Sequence, residues 1–403
     1  REPLKQICHN NDALQMNSTK TTKTATQSRV AQTRRILRTK TSVKKSLLSR
    51  TASTANGQCE EEQGFYEFEK HRCYFCRSGD TKANVHVVFL HGFGTGTFHF
   101  EQQMKDSALM ERRCLWSMDL CGQGRSWPCG SETSEDDLSG FEYSMDTWER
   151  QVEYFLKTVV LERNSESDDT IVLCGNSLGG KLALYAASRK EIENVRAVIL
   201  LNATPFWGFL NERVRFLTKE NEVLVTVVKP YWDRFRSREN VRRLLRLVYA
   251  DEKKIDERLI EEIIEPTDNA FAIKAFISTF ISPKSRVSYE EMLQAVNEDV
   301  DIKIGMVYGR EDPWVVPLWG QRLKRAVPKA RYYELSPSGH CPHHESPKAV
   351  NATIAFLVNE WFATEQKEEL LPDAIDGVQI RLVDGSPRNV FEKIDAWKST
   401  LVR

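Results

Sequence analysis

One pattern recurs along the chain and limits its fold more than any other: apolar, β-branched runs that each stop at a glycine-bearing turn. Val85–Leu90 stops at His91-Gly92-Phe93-Gly94, Cys114–Asp119 is followed by Gly122-Gln123-Gly124, and Ile171–Cys174 by Gly175-Asn176-Ser177-Leu178-Gly179. Val195–Leu201, Ile302–Tyr308 and Ala330–Leu335 are further runs of this kind. Ile302–Tyr308 ends at Gly309-Arg310-Glu311-Asp312, and Ala330–Leu335 at Ser336-Pro337-Ser338-Gly339-His340. Such runs suit strands covered on both faces. Between them, sets such as Trp148, Val152, Phe155, Leu156 and Val159 repeat at helical spacing. Strand alternating with helix predicts an α/β fold, a mostly parallel central sheet flanked by helices. Upstream, Phe65–Cys76 alternates like one half-buried strand.

The interval from Pro205 to about Glu298 is too long for a simple crossover and shows no core strand. Its amphipathic stretches, Val241–Tyr249 and Ile255–Ile264, predict a helical cap inserted at about residues 205–298. The main domain is expected over 61–365. The extension 366–403 contains one strand-like stretch, Gly377–Val383, and a helical pattern through Phe391, Ile394 and Trp397; its role is not legible.

Residues 1–60 differ in kind. From Ala13 to Gln58 there is no acidic residue, while Lys20, Lys23, Arg29, Arg34, Arg35, Arg38, Lys40, Lys44, Lys45 and Arg50 are basic among many serines and threonines. A stretch of this composition cannot bury enough apolar surface to fold alone. It reads as a plastid or mitochondrial transit segment, with a basic arm for nucleic acid or anionic lipid as the competing reading. The chain begins at Arg1, so an earlier part of a precursor is expected to precede it. Lysine plus arginine and aspartate plus glutamate both number 57, a balance that favours no nucleic-acid partner. No stretch approaches the ~18 uninterrupted apolar residues of a membrane span. Nine scattered cysteines fit reduced thiols. Cys73 and Cys76 have metal-knuckle spacing but lack a second pair, and their surroundings read as a strand.

The turn at Ser177 carries the chemistry. A serine between Gly175 and Gly179, after a buried run and before a helix, is the arrangement that projects a nucleophile from a strained strand-to-helix turn. Its base is expected late in the chain, and His340 follows the last predicted strand. Its orienting acid is expected between the two; Asp312 fits, with Glu311 the nearest competitor. The order Ser177, Asp312, His340, each at a strand's C-terminal end, is that of the α/β-hydrolase arrangement. Oxyanion donors are expected from the backbone N–H of Leu178 and from the loop after His91-Gly92, Phe93 first and Gly94 second. His91 reads as a structural hydrogen-bonding residue, and His343 and His344 as loop residues.

With these residues in view the chain resembles a known family, the plant and algal pheophytinases, from about Phe65 to Phe362. The resemblance is carried by FLHGFGTGTFHFEQQM (Phe89–Met104), MDLCGQGRSWP (Met118–Pro128), CGNSLGGKLALY (Cys174–Tyr185), LLNATPFWGF (Leu200–Phe209), YGREDPWVVPLWG (Tyr308–Gly320) and SPSGHCPHHESP (Ser336–Pro347). It implies a plastid serine hydrolase of the α/β-hydrolase fold that releases phytol from pheophytin, the magnesium-free chlorophyll, and uses no metal or organic cofactor. Matched by position, it implies Ser177 as nucleophile, His340 as base and Asp312 as its partner. The chain departs from the family at His91, where proline is expected, and at Lys181, where an aromatic or similar residue is expected. The cap from Asn211 to Ser288 shows little quotable resemblance.

Phe206, Trp207, Phe209, Trp314 and Trp319 lie near predicted strand ends and are candidates to pack on a flat macrocycle or an isoprenoid chain; the alternative is ordinary core. The leading expectation is a serine ester hydrolase acting on a phytylated pigment in the chloroplast stroma, with peripheral thylakoid contact. Competing expectations are dephytylation of magnesium-containing chlorophyll and a general lipid or acyl esterase. A non-catalytic partner of pigment complexes is disfavoured by the intact Ser-Asp-His set. Asn176 argues against the chlorophyllases, which usually carry histidine there.

Overall fold

The computed structural model describes residues 61–129, 141–162, 168–205, 221–363 and 370–384, all within one compact unit. The strands are β1 (Glu62–Phe68), β2 (His71–Gly79), β3 (Val85–Leu90), β4 (Cys114–Met118), β5 (Trp127–Pro128), β6 (Thr170–Asn176), β7 (Val195–Leu201), β8 (Lys303–Gly309), β9 (Arg331–Ser336), β10 (Ala374–Ile375) and β11 (Val378–Leu382). They form one sheet in the order β1-β2-β4-β3-β6-β7-β8-β9-β11-β10, with β5 beside β2. The centre, β4 through β9, is parallel, and both flanks are antiparallel.

The chain leaves β3 towards β4 on one side and later takes β6 on the other. The order therefore reverses next to β3 and β6, and ligands bind open α/β sheets outside the strand ends at such a reversal. The loops after these two strands carry Phe93 and Ser177.

Nine helices of eight residues or more are described: α1 (Met145–Phe155), α2 (Leu178–Arg189), α3 (Asn221–Phe235), α4 (Arg238–Leu245), α5 (Glu257–Ile264), α6 (Ala272–Ile281), α7 (Tyr289–Glu298), α8 (Pro317–Ala326) and α9 (Pro347–Phe362). Helices α3–α7 occupy the interval in which no core strand was expected. Alternation along β3 shows why both sheet faces are covered. Val88 and Leu90 join a core containing Trp116, Trp148 and Leu182, whereas Val87 and Phe89 join one containing Phe100, Ile199 and Leu357. Cys73 and Cys76 sit on opposite faces of β2 by the same alternation, so the pair cannot hold one ion between them.

The structure differs from the sequence reading of these elements in two places, the first strand and helix α4, and agrees with it at the strand-like stretch after Gly377. Phe65–Cys76 is not one strand but parts of the β1–β2 hairpin, turned at Glu69 and Lys70 with φ of 41° and 67°. Two positive-φ residues match the twist of a hairpin, but neither is the glycine or asparagine that marks such turns. Helix α4 ends at Leu245, and Val248 and Tyr249 turn inward to pack with Ile255, Leu259 and Cys341. The strand-like stretch near residue 380 is β11, which pairs antiparallel with β9 and extends the sheet. The segment 1–60, the acidic loop 130–140 and the helical pattern at Phe391–Trp397 lie outside the described residues.

Glu149 on α1 is only 5% exposed. Burial, reinforced by Glu153, pushes its carboxyl up to about 7, against about 4.3 in an unfolded chain. The native state thus keeps a proton that the unfolded chain gives up, and stability falls as pH rises between these values, then levels. Glu149→Gln is expected to melt about 2 °C or more above the parent at pH 8, with the gap closing near pH 4. Equal midpoints across that range in a thermal-shift titration would contradict it.

Candidate active site

Ser177 stands between β6 and α2 with φ 52° and ψ −114°, a strained backbone for a residue with a side chain. Its neighbours make the turn possible by close approach. A Cβ on Gly175 would lie 2.2 Å from the Gly179 carbonyl oxygen, and one on Gly179 would lie 2.0 Å from that of Leu90. The Ser177 N–H donates to the Leu201 carbonyl at 3.0 Å, and its own carbonyl accepts from Thr204 N–H at 3.1 Å. The backbone is thereby clamped to the end of β7, and Leu178 opens a helix whose first N–H groups have no intrahelical acceptor.

His340 and Asp312 are buried and joined, Nδ1 to Oδ2 at 2.7 Å. Asp312 also takes N–H groups from Trp314 (2.8 Å) and Val315 (3.0 Å) on Oδ1. Burial raises the Asp312 carboxyl, but the charge and N–H of His340 and these backbone donors outweigh it, leaving Asp312 below the usual carboxylate range. The imidazole is thus held with its proton on Nδ1 and Nε2 free to accept. The His340 N–H donates to the Val248 carbonyl at 2.9 Å, tying its loop to the cap. Asn176, the residue before the serine, donates Nδ2 to the His340 carbonyl at 3.0 Å. Glu311 accepts from Ser336 and Ser338 and braces the loop leading to His340.

The loop after β3 passes beside the serine: a Cβ on Gly92 would lie 3.5 Å from Ser177 Cβ. His91 donates Nδ1–H to the Gly92 carbonyl (2.7 Å) while Nε2 accepts the Leu120 N–H (3.0 Å), and burial keeps it neutral. It is structural, as its position suggests. Gly94 N–H is donated to Gln123 Oε1 at 2.8 Å, which leaves Phe93 ahead of Gly94 as an oxyanion donor. A small open cleft begins here, lined by Phe93, Gly94, Gln123, Trp127, Trp232 and Phe276 among others. Its lining takes in the Phe93 loop but not Ser177 or His340 themselves. Among the described residues no group of three or more His, Cys, Asp or Glu is placed to hold a metal ion.

Of the aromatic candidates, Trp314 is 60% exposed and stands 5.7 Å, ring to ring, from His340. Trp319 packs half-buried against the core. Phe206, Trp207 and Phe209 lie outside the described residues. His343 and His344, read as loop residues, instead sit in a helical turn with His99 and Tyr249. His343 Nε2 meets His99 Nδ1 at 3.1 Å, and burial holds all three imidazoles below their ordinary range.

Asn202 was not legible in the sequence. At the end of β7, with φ 42°, it donates Nδ2 to Asp312 Oδ2 at 2.7 Å and accepts Gly309 N–H on Oδ1 at 2.8 Å. The oxygen that holds His340 is therefore also held by Asn202. A hydrogen bond to a charged group contributes roughly 1.5–3 kcal/mol, so Asn202→Ala is expected to lower kcat about 10- to 100-fold with little change in KM. An unchanged kcat would show the contact to be incidental.

The comparisons with known proteins agree with this geometry. The family model described as "Alpha/beta hydrolase family" matches residues 87–353. The chain is 35% identical over 308 residues to the chloroplastic pheophytinase of Arabidopsis thaliana, covering 68% of this chain and 60% of that protein. It is 28% identical over 187 residues to the uncharacterized hydrolase YugF of Bacillus subtilis, covering 46% of this chain and 64% of that one. The chain thus spans less than two thirds of either relative. Among solved structures, a serine hydrolase involved in carbazole degradation superposes with a TM-score of 0.55 at 18% identity, over 75% of this chain and all of that one. With the parallel sheet, its antiparallel flanks and the strand-to-helix turn at Ser177, these matches place the chain, a pheophytinase-like hydrolase, in the alpha/beta hydrolase family.

Proposed function

We propose that the chain is a serine carboxylic-ester hydrolase that cleaves the phytyl ester of pheophytin with one water, giving pheophorbide and phytol. In this reading Ser177 Oγ attacks the ester carbonyl as His340 Nε2 takes its proton. Asp312 holds the imidazole in the required tautomer and balances its charge. The peptide N–H groups of Leu178 and Phe93 receive the oxyanion. The ester C–O bond then breaks, His340 returns the proton to the departing phytol, and water attacks the acyl-enzyme by the same route in reverse. No cofactor enters.

The hydrolytic part rests on the His340–Asp312 bond at 2.7 Å beside the strained turn of Ser177. The pigment rests on one observation, the 35% identity to a chloroplastic pheophytinase. The same likeness supports a plastid location, residues 1–60 acting as the transit segment. Trp314, exposed beside His340, is suited to lie against a macrocycle.

Offering purified protein pheophytin a, chlorophyll a and a p-nitrophenyl ester side by side, with phytol followed by chromatography, tests the proposal. Preference for pheophytin is expected. Preference for chlorophyll would make it a chlorophyll dephytylase. Cleavage of the short ester alone would leave the hydrolytic mechanism standing and remove the pigment.

A further inference from the structure

Cap helix α3 shows solvent an apolar stripe. Val227 is 59%, Tyr231 68% and Phe235 41% exposed, at positions i, i+4 and i+8. At 3.6 residues per turn, Val227, Tyr231 and Arg234 fall within an arc of about 60° on the outward side. Phe235 and then Trp232 continue round towards the buried side, where Trp232 is almost wholly enclosed. Arg234 and Lys229 have no ion-pair partner among the described residues, and Arg236 is shared between Asp233, at 3.1 Å, and Asp268, so these three cations outnumber the two carboxylates. The charge beside the stripe is therefore positive.

The stripe does not end at the surface. Phe235 touches Phe276 at 4.9 Å between ring centroids, and Trp232 touches it at 5.3 Å. Phe276 meets Phe280 at 4.7 Å, and Phe93 meets Phe276 at 5.9 Å and Phe280 at 5.3 Å. Rings thus run without a gap from the exposed helix face to the loop beside Ser177. Trp232, Phe276 and Phe93 also line the cleft that opens there.

We infer that the Val227–Tyr231–Phe235 face of α3 docks on an anionic lipid bilayer, and that the aromatic row from Phe235 through Phe276 to Phe93 leads the apolar chain of a membrane-dissolved ester to Ser177. The inference rests on the proposed ester substrate for its second half, while docking stands by itself. Three features fit a lipid surface: a tyrosine and aliphatic stripe with a cation at its edge, continuity of that stripe with the apolar cleft, and an ester whose long chain is insoluble in water. No helix among the described residues is long and apolar enough to cross a membrane, so contact through α3 would be interfacial.

The test uses the full chain, floated with phosphatidylcholine vesicles that contain or lack phosphatidylglycerol, and compares it with Val227→Gln/Tyr231→Gln and with Arg234→Glu. Both variants change exposed residues, and a thermal-unfolding midpoint matching the parent shows that each is folded. The parent is expected to float with anionic vesicles, and the double variant to partition at least ~10-fold less. Arg234→Glu is expected to lose the preference for phosphatidylglycerol. Because residues 1–60 are basic, the reading is the difference between parent and variants in the same salt. Equal flotation of parent and double variant would overturn docking. So would a dimer in light scattering that the double variant abolishes while vesicle binding persists, since the face would then join two copies. Parent that floats but cleaves no phytyl ester would retain docking and remove dephytylation. Parent that cleaves pheophytin in detergent yet never floats would do the reverse.

Discussion

Ser177→Ala is expected to lower ester hydrolysis by about 10⁴- to 10⁶-fold, with the fold and melting temperature almost unchanged. The magnitude follows from the loss of the covalent step, which leaves only binding and oxyanion stabilisation to act on a weakly activated water. The fold survives because the clamps on this turn are backbone ones, to Leu201 and Thr204, and alanine keeps both. Alanine is also less demanding than serine at φ 52° only in size, so the strain stays. A variant retaining more than about a tenth of parental kcat would place the nucleophile elsewhere. Rates are best followed by phytol release together with a chromogenic short ester, so that a failure of pigment binding is not mistaken for a failure of chemistry.

Asp312→Asn is expected to cost about 10⁴-fold in kcat with KM little altered. All four recorded contacts to this carboxylate come from N–H donors: Trp314 and Val315 on Oδ1, His340 and Asn202 on Oδ2. An asparagine must turn its NH₂ towards one of these pairs. Facing His340, it would drive the imidazole proton to Nε2, where it cannot accept from serine. Facing Trp314 and Val315, it would oppose two backbone donors and loosen the loop after β8. Either outcome removes the base, and steady-state kinetics at two substrate concentrations well above and below KM separates kcat from binding. The folded Asp312 carboxyl lies below its ordinary range, so the pairing contributes stability that is present above the unfolded value, about 3.9, and is lost as pH falls through the depressed one.

The parts of this site that were legible in the sequence are those encoded by local pattern. Apolar runs ending before Gly175, Gly309 and Ser336 place Ser177, Asp312 and His340 just after β6, β8 and β9, and chain order suggests the roles proposed for them. What was not legible depends on contacts between residues far apart in the chain. Asn202 has no assignable role in the sequence until its amide is seen on Asp312, and Asn176 counts there only as an argument against the chlorophyllases until it is seen on the His340 carbonyl. His343 gives no sequence signal of burial, because its partners His99 and Gln103 come from the far end of the domain. The cap's aromatic row was invisible for a related reason. Phe276 lies in an amphipathic helix like any other, and only its meeting with Phe93 gives it a place beside the site. Strand β11 was seen as a strand, but its pairing with β9 spans residues that no local rule connects.

The central claim is that Ser177 carries the acyl group, and peptide mass spectrometry of the quenched reaction tests it most directly. Protein mixed with pheophytin and stopped in acid within the first turnovers is digested, and the peptide holding Gly175–Gly179 is examined. The account predicts a pheophorbide acyl ester on Ser177, absent from Ser177→Ala and at most barely formed in His340→Ala, because acylation and deacylation both need the imidazole. Phytol released by the parent at full rate, with no adduct on Ser177 at any quench time and undiminished release by Ser177→Ala, would contradict it.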